Sequence, residues 1–111
     1  MFKNVDESTI EEIQLEKGFI VLIFKNEDIS NQNFERNIKS NFIQMHFCIR
    51  GNSKFLFNEG SYSFDVSNGR SILLYNPQRE LPIHLDIQPK TTLVSLLISI
   101  DKFHSLFSKE S

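Results

Sequence analysis

Tryptophan is absent, and cysteine occurs once, at Cys48. A single cysteine excludes an intrachain disulfide, so the fold is not stapled covalently, which fits a reducing compartment. There is no basic run either. The twelve Lys and Arg are scattered from Lys3 to Lys109 and the net charge is −2, which argues against an electrostatic grip on nucleic acid. Met1-Phe2-Lys3-Asn4 leads straight to Asp6 and Glu7 with no apolar h-region between them, so no secretory signal is visible. The longest apolar run, Phe19 to Phe24, is too short to span a bilayer. These absences make a cytoplasmic protein without a membrane partner the expectation.

What is present is a chain of 111 residues with 40% hydrophobic content, enough for one domain over residues 1–111 with a core of its own. Eleven Phe and many Ile favour strands. The stretch from Phe42 to Pro77 alternates apolar and other residues, breaks at glycine-containing turns and restarts three times. Period-two alternation sends successive side chains to opposite faces of a sheet. The expected strands are residues 42–50, 55–57, 62–66 and 72–75. Outside this stretch, residues 12–16 and 19–25 read as two strands joined at Lys17-Gly18, the second buried on both sides because it lacks a polar face. The Thr-x-x-Glu form of Thr9 to Glu12 admits a short helix as the alternative at the start. Asn26 to Asn41 is polar and reads as the longest and most mobile loop. Ile83, Leu85 and Ile87 alternate with His84, Asp86 and Gln88 in a half-buried strand, and Thr92 to Ile100 is a long apolar one. Asp101 reads as the N-cap of a short amphipathic helix carrying Phe103, Leu106 and Phe107. About eight strands and one C-terminal helix predict an all-β sandwich, jelly roll or small barrel.

Three segments are similar to one known family. His46 to Gly51 resembles its strand ending in a glycine turn, Gly69 to Pro77 its aliphatic strand ending in proline, and Ile98 to Phe103 its last barrel strand running into a helix. Together they resemble the cupin superfamily, a double-stranded β-helix jelly roll. The nearer likeness is to the N-terminal effector domain of AraC-family transcription regulators. The resemblance implies a barrel over about residues 12–100 and the start of a linker helix over 101–108. It also implies a small-molecule effector or homodimerisation as the regulatory input, and DNA contacted only through a helix-turn-helix domain that these residues do not contain. The helix after Asp101 has no terminator, which suggests a longer parent.

The family's metal-binding members use two His and a Glu in a first motif and one His in a second. Anchored on Gly51, the resemblance puts Gln44 at the Glu position and residues 37–40 at the His-x-His positions. Pro82 falls at the last ligand position, with His84 two residues late. Metal sites need several convergent His, Cys or carboxylate donors. The expectation is therefore a metal-free barrel without cofactor, catalytic residues or enzymatic activity. The alternative is a stand-alone small cupin with isomerase- or dioxygenase-like activity.

On strand 42–50 the set Ile43, Met45, Phe47, Ile49 reads as clean core, and Phe42, Gln44, His46, Cys48 as a mixed face. That mixed face is either a pocket wall or a surface turned to solvent, the commoner case. Cys48 and His46 share a face but lack a third orienting group, so a nucleophile–base pair is not expected. Phe55, Phe57, Tyr62, Phe64 and Tyr75 are expected to fill the barrel or line a cavity within it. His84 and His104 read as solvated. The candidate ligand-binding residues are Gln44, His46, Tyr62 and Tyr75, with Arg79 at the rim for an anionic group.

Overall fold

The computed structural model describes residues 10–57 and 59–107. Nine strands and one helix follow in order: β1 Ile10–Glu16, β2 Phe19–Asn26, β3 Gln32–Arg36, β4 Phe42–Arg50, β5 Asn52–Phe57, β6 Tyr62–Ser67, β7 Ser71–Leu74, β8 Ile83–Ile87, β9 Thr91–Ser99 and α1 Ile100–Phe107. Two antiparallel sheets face each other, one of five strands in the order β1-β2-β9-β4-β7 and one of four in the order β3-β8-β5-β6. The all-β jelly roll with a short C-terminal helix is the expected class. No helix among the described residues is long and apolar enough to cross a membrane.

The core lies between the sheets. Leu22 and Phe24 of β2, Phe55 of β5, Ile83, Leu85 and Ile87 of β8, and Leu93 and Leu97 of β9 are all buried there. Each fully buried aliphatic or aromatic side chain contributes on the order of 1.5–3 kcal/mol. β8 behaves as its pattern predicts, with Ile83, Leu85 and Ile87 buried and His84 and Asp86 partly exposed.

Several expectations need correction. Ile10–Glu16 is a strand, which removes the helix alternative there; Thr9 lies outside the described residues. The polar segment 26–41 contains β3, hydrogen-bonded to β8 with Phe34 opposite Leu85. Phe34 and Ile38 are buried. Asn26 fixes the start of this segment: its buried amide donates to the carbonyls of Ser30 and Ile87 (2.9 Å each), and its Oδ1 accepts from the Asp28 N–H. β2 is not buried on both sides, since Val21 and Ile23 are partly exposed. The N-cap is Ser99, whose hydroxyl accepts from the Lys102 N–H at 3.1 Å; Asp101 lies within the first turn.

The largest correction concerns β4, whose faces are inverted relative to the hydropathy reading. Gln44, His46 and Cys48 point inward and are buried, whereas Phe47 and Ile49 are exposed. Polar groups can occupy the interior where every one is hydrogen-bonded, and these are. The apolar set lies on the outer face of the five-stranded sheet, where Ile43 is buried as expected, Met45 is half-buried, and Phe47 and Ile49 are exposed.

The chain changes sheets at Gly51, between β4 and β5. Gly51 has φ +87°, and a Cβ there would lie 2.6 Å from the Cα of Thr91 and 2.8 Å from the Lys90 carbonyl. Thr91 locks the same corner by accepting from the Asn52 N–H at 2.9 Å. Gly69, at φ +80°, faces open space. Substitution to Ala at Gly69 meets only the left-handed backbone cost, about 1–2 kcal/mol. Gly51→Ala adds a clash with backbone and is expected to destabilise by roughly 3 kcal/mol or more. Urea denaturation of the two variants tests this. Equal losses would show that the Thr91 contact is not the constraint at Gly51.

Candidate functional site

The inward face of β4 builds a buried polar chain. Gln44, His46 and Ser95 are at most 2% exposed, and His46 and Ser95 stand opposite one another in the β4–β9 register. His46 Nδ1 lies 2.6 Å from Ser95 Oγ, and Nε2 lies 2.9 Å from Gln44 Oε1. The Gln44 amide nitrogen donates to the Leu81 carbonyl at 2.6 Å. That last bond sets the direction of the rest. With its NH2 committed to Leu81, Gln44 offers only its carbonyl oxygen to the imidazole, so His46 donates from Nε2 and accepts the Ser95 hydroxyl at Nδ1. The ring is therefore a neutral Nε2–H tautomer. Burial pushes its pKa down to about 3, because a charged imidazolium would lose its hydration without gaining a carboxylate.

The chain reaches the surface at Leu81. There a cavity of about 900 Å3 opens between the β5–β6 hairpin and the connection from β7 to β8. Phe57, Tyr62 and Phe64 form its aromatic wall, and Leu81 and Pro82 face them. Phe64 stacks on Phe55 with centroids 5.6 Å apart, and Phe55 packs against the His46 ring at 4.7 Å. Two paths therefore join the cavity to the buried histidine, one polar and one aromatic. Such a volume is in the range that holds a small organic ligand.

The rim is charged. Arg79 shares it with Glu35, Glu59, Glu80 and His84. His84 Nε2 lies 3.3 Å from Asn33 Oδ1 and 3.5 Å from Glu35 Oε2. Glu59 sits at φ +56° in the hairpin turn, a conformation that costs a non-glycine residue about 1 kcal/mol or more and that holds its carboxylate at the cavity mouth.

Of the expected site residues, Tyr62 and Arg79 line the cavity, and Gln44 and His46 lie beneath it. Tyr75 does not join them. It borders a separate shallow depression with Ser40, Asn41, Pro77, Ile100 and Asp101. The mixed face of β4 is thus interior rather than solvent-facing, and Tyr62, 64% exposed, does not fill the barrel. His84 is a partly buried rim residue rather than a solvated one. Ser95 and Leu81 are the participants that sequence reasoning missed. Ser95 was detectable as the one hydroxyl inside the apolar run Leu93 to Ile98; Leu81 acts through its backbone, which no side-chain pattern encodes.

Cys48 is not paired with His46. Its thiol donates to the carbonyls of Arg50 (3.4 Å) and Gly51 (3.6 Å), and burial pushes its pKa up, so it is a poor nucleophile. Among the described residues no group of three His, Cys, Asp or Glu is placed to hold a metal ion. Around His46, whose two ring nitrogens are both engaged, the polar partners are the Gln44 amide and the Ser95 hydroxyl, and the Cys48 thiol is hydrogen-bonded to backbone carbonyls; this set does not fit a divalent metal.

No protein-family model matches the chain, and no curated protein matches it in sequence. Solved structures do match in fold. A cupin protein from Bacteroides fragilis superposes with a TM-score of 0.59 at 10% identity, covering 100% of this chain and 88% of its own. The cupin domain of an XRE-family transcriptional regulator from Enterobacter cloacae gives 0.54 at 9% identity, covering 80% and 93%. Ectoine synthase from P. lautus gives 0.53 at 15% identity, covering 96% and 86%. The fold is that of cupins. The expectation that the domain has no enzymatic activity is corrected by the last of these: an enzyme is built on this fold over nearly the whole of the chain.

The buried histidine has a measurable signature. The folded pKa of His46, about 3, lies below its ordinary 6.5, so between those values the unfolded chain binds a proton that the fold refuses. The associated stability is complete above about pH 6.5 and is lost as pH falls toward 3, by on the order of a few kcal/mol. Long-range 15N NMR of the ring at pH 5 is expected to show the neutral Nε2–H tautomer. A doubly protonated ring in the folded protein at that pH would contradict the polar chain.

Proposed function

We infer that this cupin-fold domain is a ligand-sensing module of a bacterial transcription regulator, with the cavity at Tyr62 and Arg79 as its effector site. The observation that carries this reading is the aromatic cavity wired to a buried, fully hydrogen-bonded interior. A ligand on Phe57, Tyr62 and Phe64 presses, through the Phe64–Phe55 stack, on the tilted Phe55–His46 contact and on the connection that holds Leu81 against Gln44. Regulation needs a ligand that favours one arrangement of the domain over another, and the β7–β8 connection is the segment the cavity and the interior share. Support also comes from a structural neighbour that is the cupin domain of a transcriptional regulator. Within regulators, the AraC-type assignment rests on the strand–glycine, strand–proline and strand–helix segments of the sequence. DNA contact then belongs to a separate helix-turn-helix domain.

The rim narrows the ligand. Arg79 supplies a guanidinium for one anionic group, and Glu35, Glu59 and Glu80 supply three carboxylates around it. A small polar molecule with an apolar body and groups of both signs suits this rim better than a bare anion.

A thermal-shift screen of small metabolites tests the reading. A ligand present at about 100 times its Kd stabilises the folded state by roughly 2.7 kcal/mol, which raises the Tm of a domain this size by several degrees. The Tyr62→Ala and Arg79→Ala variants are expected to keep their own Tm within a degree or two and to lose the ligand-induced rise. A ligand whose shift survives both variants binds elsewhere and defeats the assignment.

A further inference from the structure

The β5–β6 hairpin carries four aromatic rings on one face. Phe55 stands opposite Phe64 and Phe57 opposite Tyr62 in its register, and period-two alternation puts all four on the same side. Their exposure rises toward the hairpin turn, from 1% at Phe55 through 37% at Phe64 to 64% at Tyr62. The hairpin therefore runs out past the core and holds its last rings over the cavity. The Phe57 and Phe64 centroids lie 5.3 Å apart with the rings at 34°, so the wall offers two tilted π-faces with Tyr62 beside them.

Such a wall under an apolar rim would suit a hydrocarbon. The rim here is acidic. Glu35, Glu59 and Glu80 border the cavity against a single guanidinium, that of Arg79. Glu35 has the His84 imidazole at 3.5 Å; among the described residues Glu59, Glu80 and Arg79 enter no ion pair. An uncharged apolar ligand would strip water from these carboxylates and return nothing for it. A cation gains from both features at once. The carboxylates attract it across the mouth, and the negative faces of the rings attract it at the wall. A small metal ion does not use this arrangement, because no three His, Cys, Asp or Glu among the described residues are placed to hold one and a divalent ion needs convergent donors. A bulkier cation with an apolar skin does.

We propose that the cavity selects an organic ammonium group, in a zwitterion whose positive end lies on Phe57, Tyr62 and Phe64 beneath the rim carboxylates and whose carboxylate meets Arg79. This rests on the reading of the cavity as the ligand site and adds which charge the wall takes. The order of the two ends follows from placement. Arg79 belongs to the connection from β7 to β8, across the cavity from the hairpin, and its charge keeps an ammonium away from that side.

Isothermal titration of the full chain with two pairs of isosteres tests this: glycine betaine against tert-butylacetate, and ε-aminocaproate against heptanoate. Each pair keeps the carboxylate for Arg79 and exchanges only the positive centre for carbon. At least one ammonium probe is expected to bind about tenfold more tightly than its isostere, or better. The preference is expected to shrink as salt is raised and to fall by about threefold or more in Glu59→Gln combined with Glu80→Gln. Both positions are exposed, and an unchanged Tm of the double variant checks that its fold is kept. A preference that this variant leaves intact overturns the proposal. So do isosteres that bind as tightly as their ammonium partners, since the wall is then merely apolar; the cavity keeps its place as the effector site if Tyr62→Ala abolishes that binding. Binding that survives Tyr62→Ala lies elsewhere and overturns both. Silence from both ammonium probes at millimolar concentration overturns the proposal and leaves the metabolite screen to decide the site.

Discussion

An imidazole leaves water at a cost of several kcal/mol unless both ring nitrogens find partners. His46 is fully buried, so β4 can face inward only in the register that sets Ser95 on one side of the ring and Gln44 on the other. Gln44 in turn needs the Leu81 carbonyl, which fixes the connection between β7 and β8 against the sheet. A slip of one residue along β4 would turn Met45 and Phe47 inward. It would also place the histidine at the surface and leave Ser95 without its partner. The polar chain therefore specifies register as well as contributing stability. The cavity floor is where its last bond ends.

This constraint explains what the sequence disclosed and what it did not. Alternation along Phe42 to Arg50 separates two faces correctly, but period two does not say which face is inside. Hydropathy favours Ile43, Met45, Phe47 and Ile49; Ile43 is buried, but the reading fails at Phe47 and Ile49, because the polar set is fully satisfied within the fold and takes the interior. β8 was legible because its alternation and its burial agree, with Ile83, Leu85 and Ile87 inside. β3 was not, since a single Phe34 among Gln32, Asn33, Glu35 and Arg36 has the composition of a loop. Its strand character comes from pairing with β8, a tertiary effect that outweighs local propensity. The helix was found and its cap misplaced, because Ser99 and Asp101 are both good capping residues and only the geometry of the strand's end chooses between them.

The candidate site divides in the same way. Side-chain chemistry pointed to Gln44, His46, Tyr62 and Arg79, and the fold brings these four to one region. Tyr75 shares their chemistry but follows β7 rather than preceding β8, and it lies at a different depression. The acidic rim was hidden because Glu35, Glu59 and Glu80 are far apart in sequence and belong to different elements. Residue types identify which groups can bind, and topology decides which of them meet.

β4 carries the polar chain beneath the cavity on one face and an apolar set on the other, and its pleat keeps the two apart. Even-numbered positions Gln44 and His46 face the interior and the cavity floor; odd-numbered positions Met45 and Phe47 face outward. The polar chain and the outer apolar set therefore draw on side chains that alternate along a few residues of one strand, with no side chain shared. Changes at Phe47 or Leu73 act on the outer face and leave the hydrogen bonds of His46 in place. Changes at Tyr62 or Arg79 act at the cavity. The period-two geometry lets each face of β4 be altered by itself.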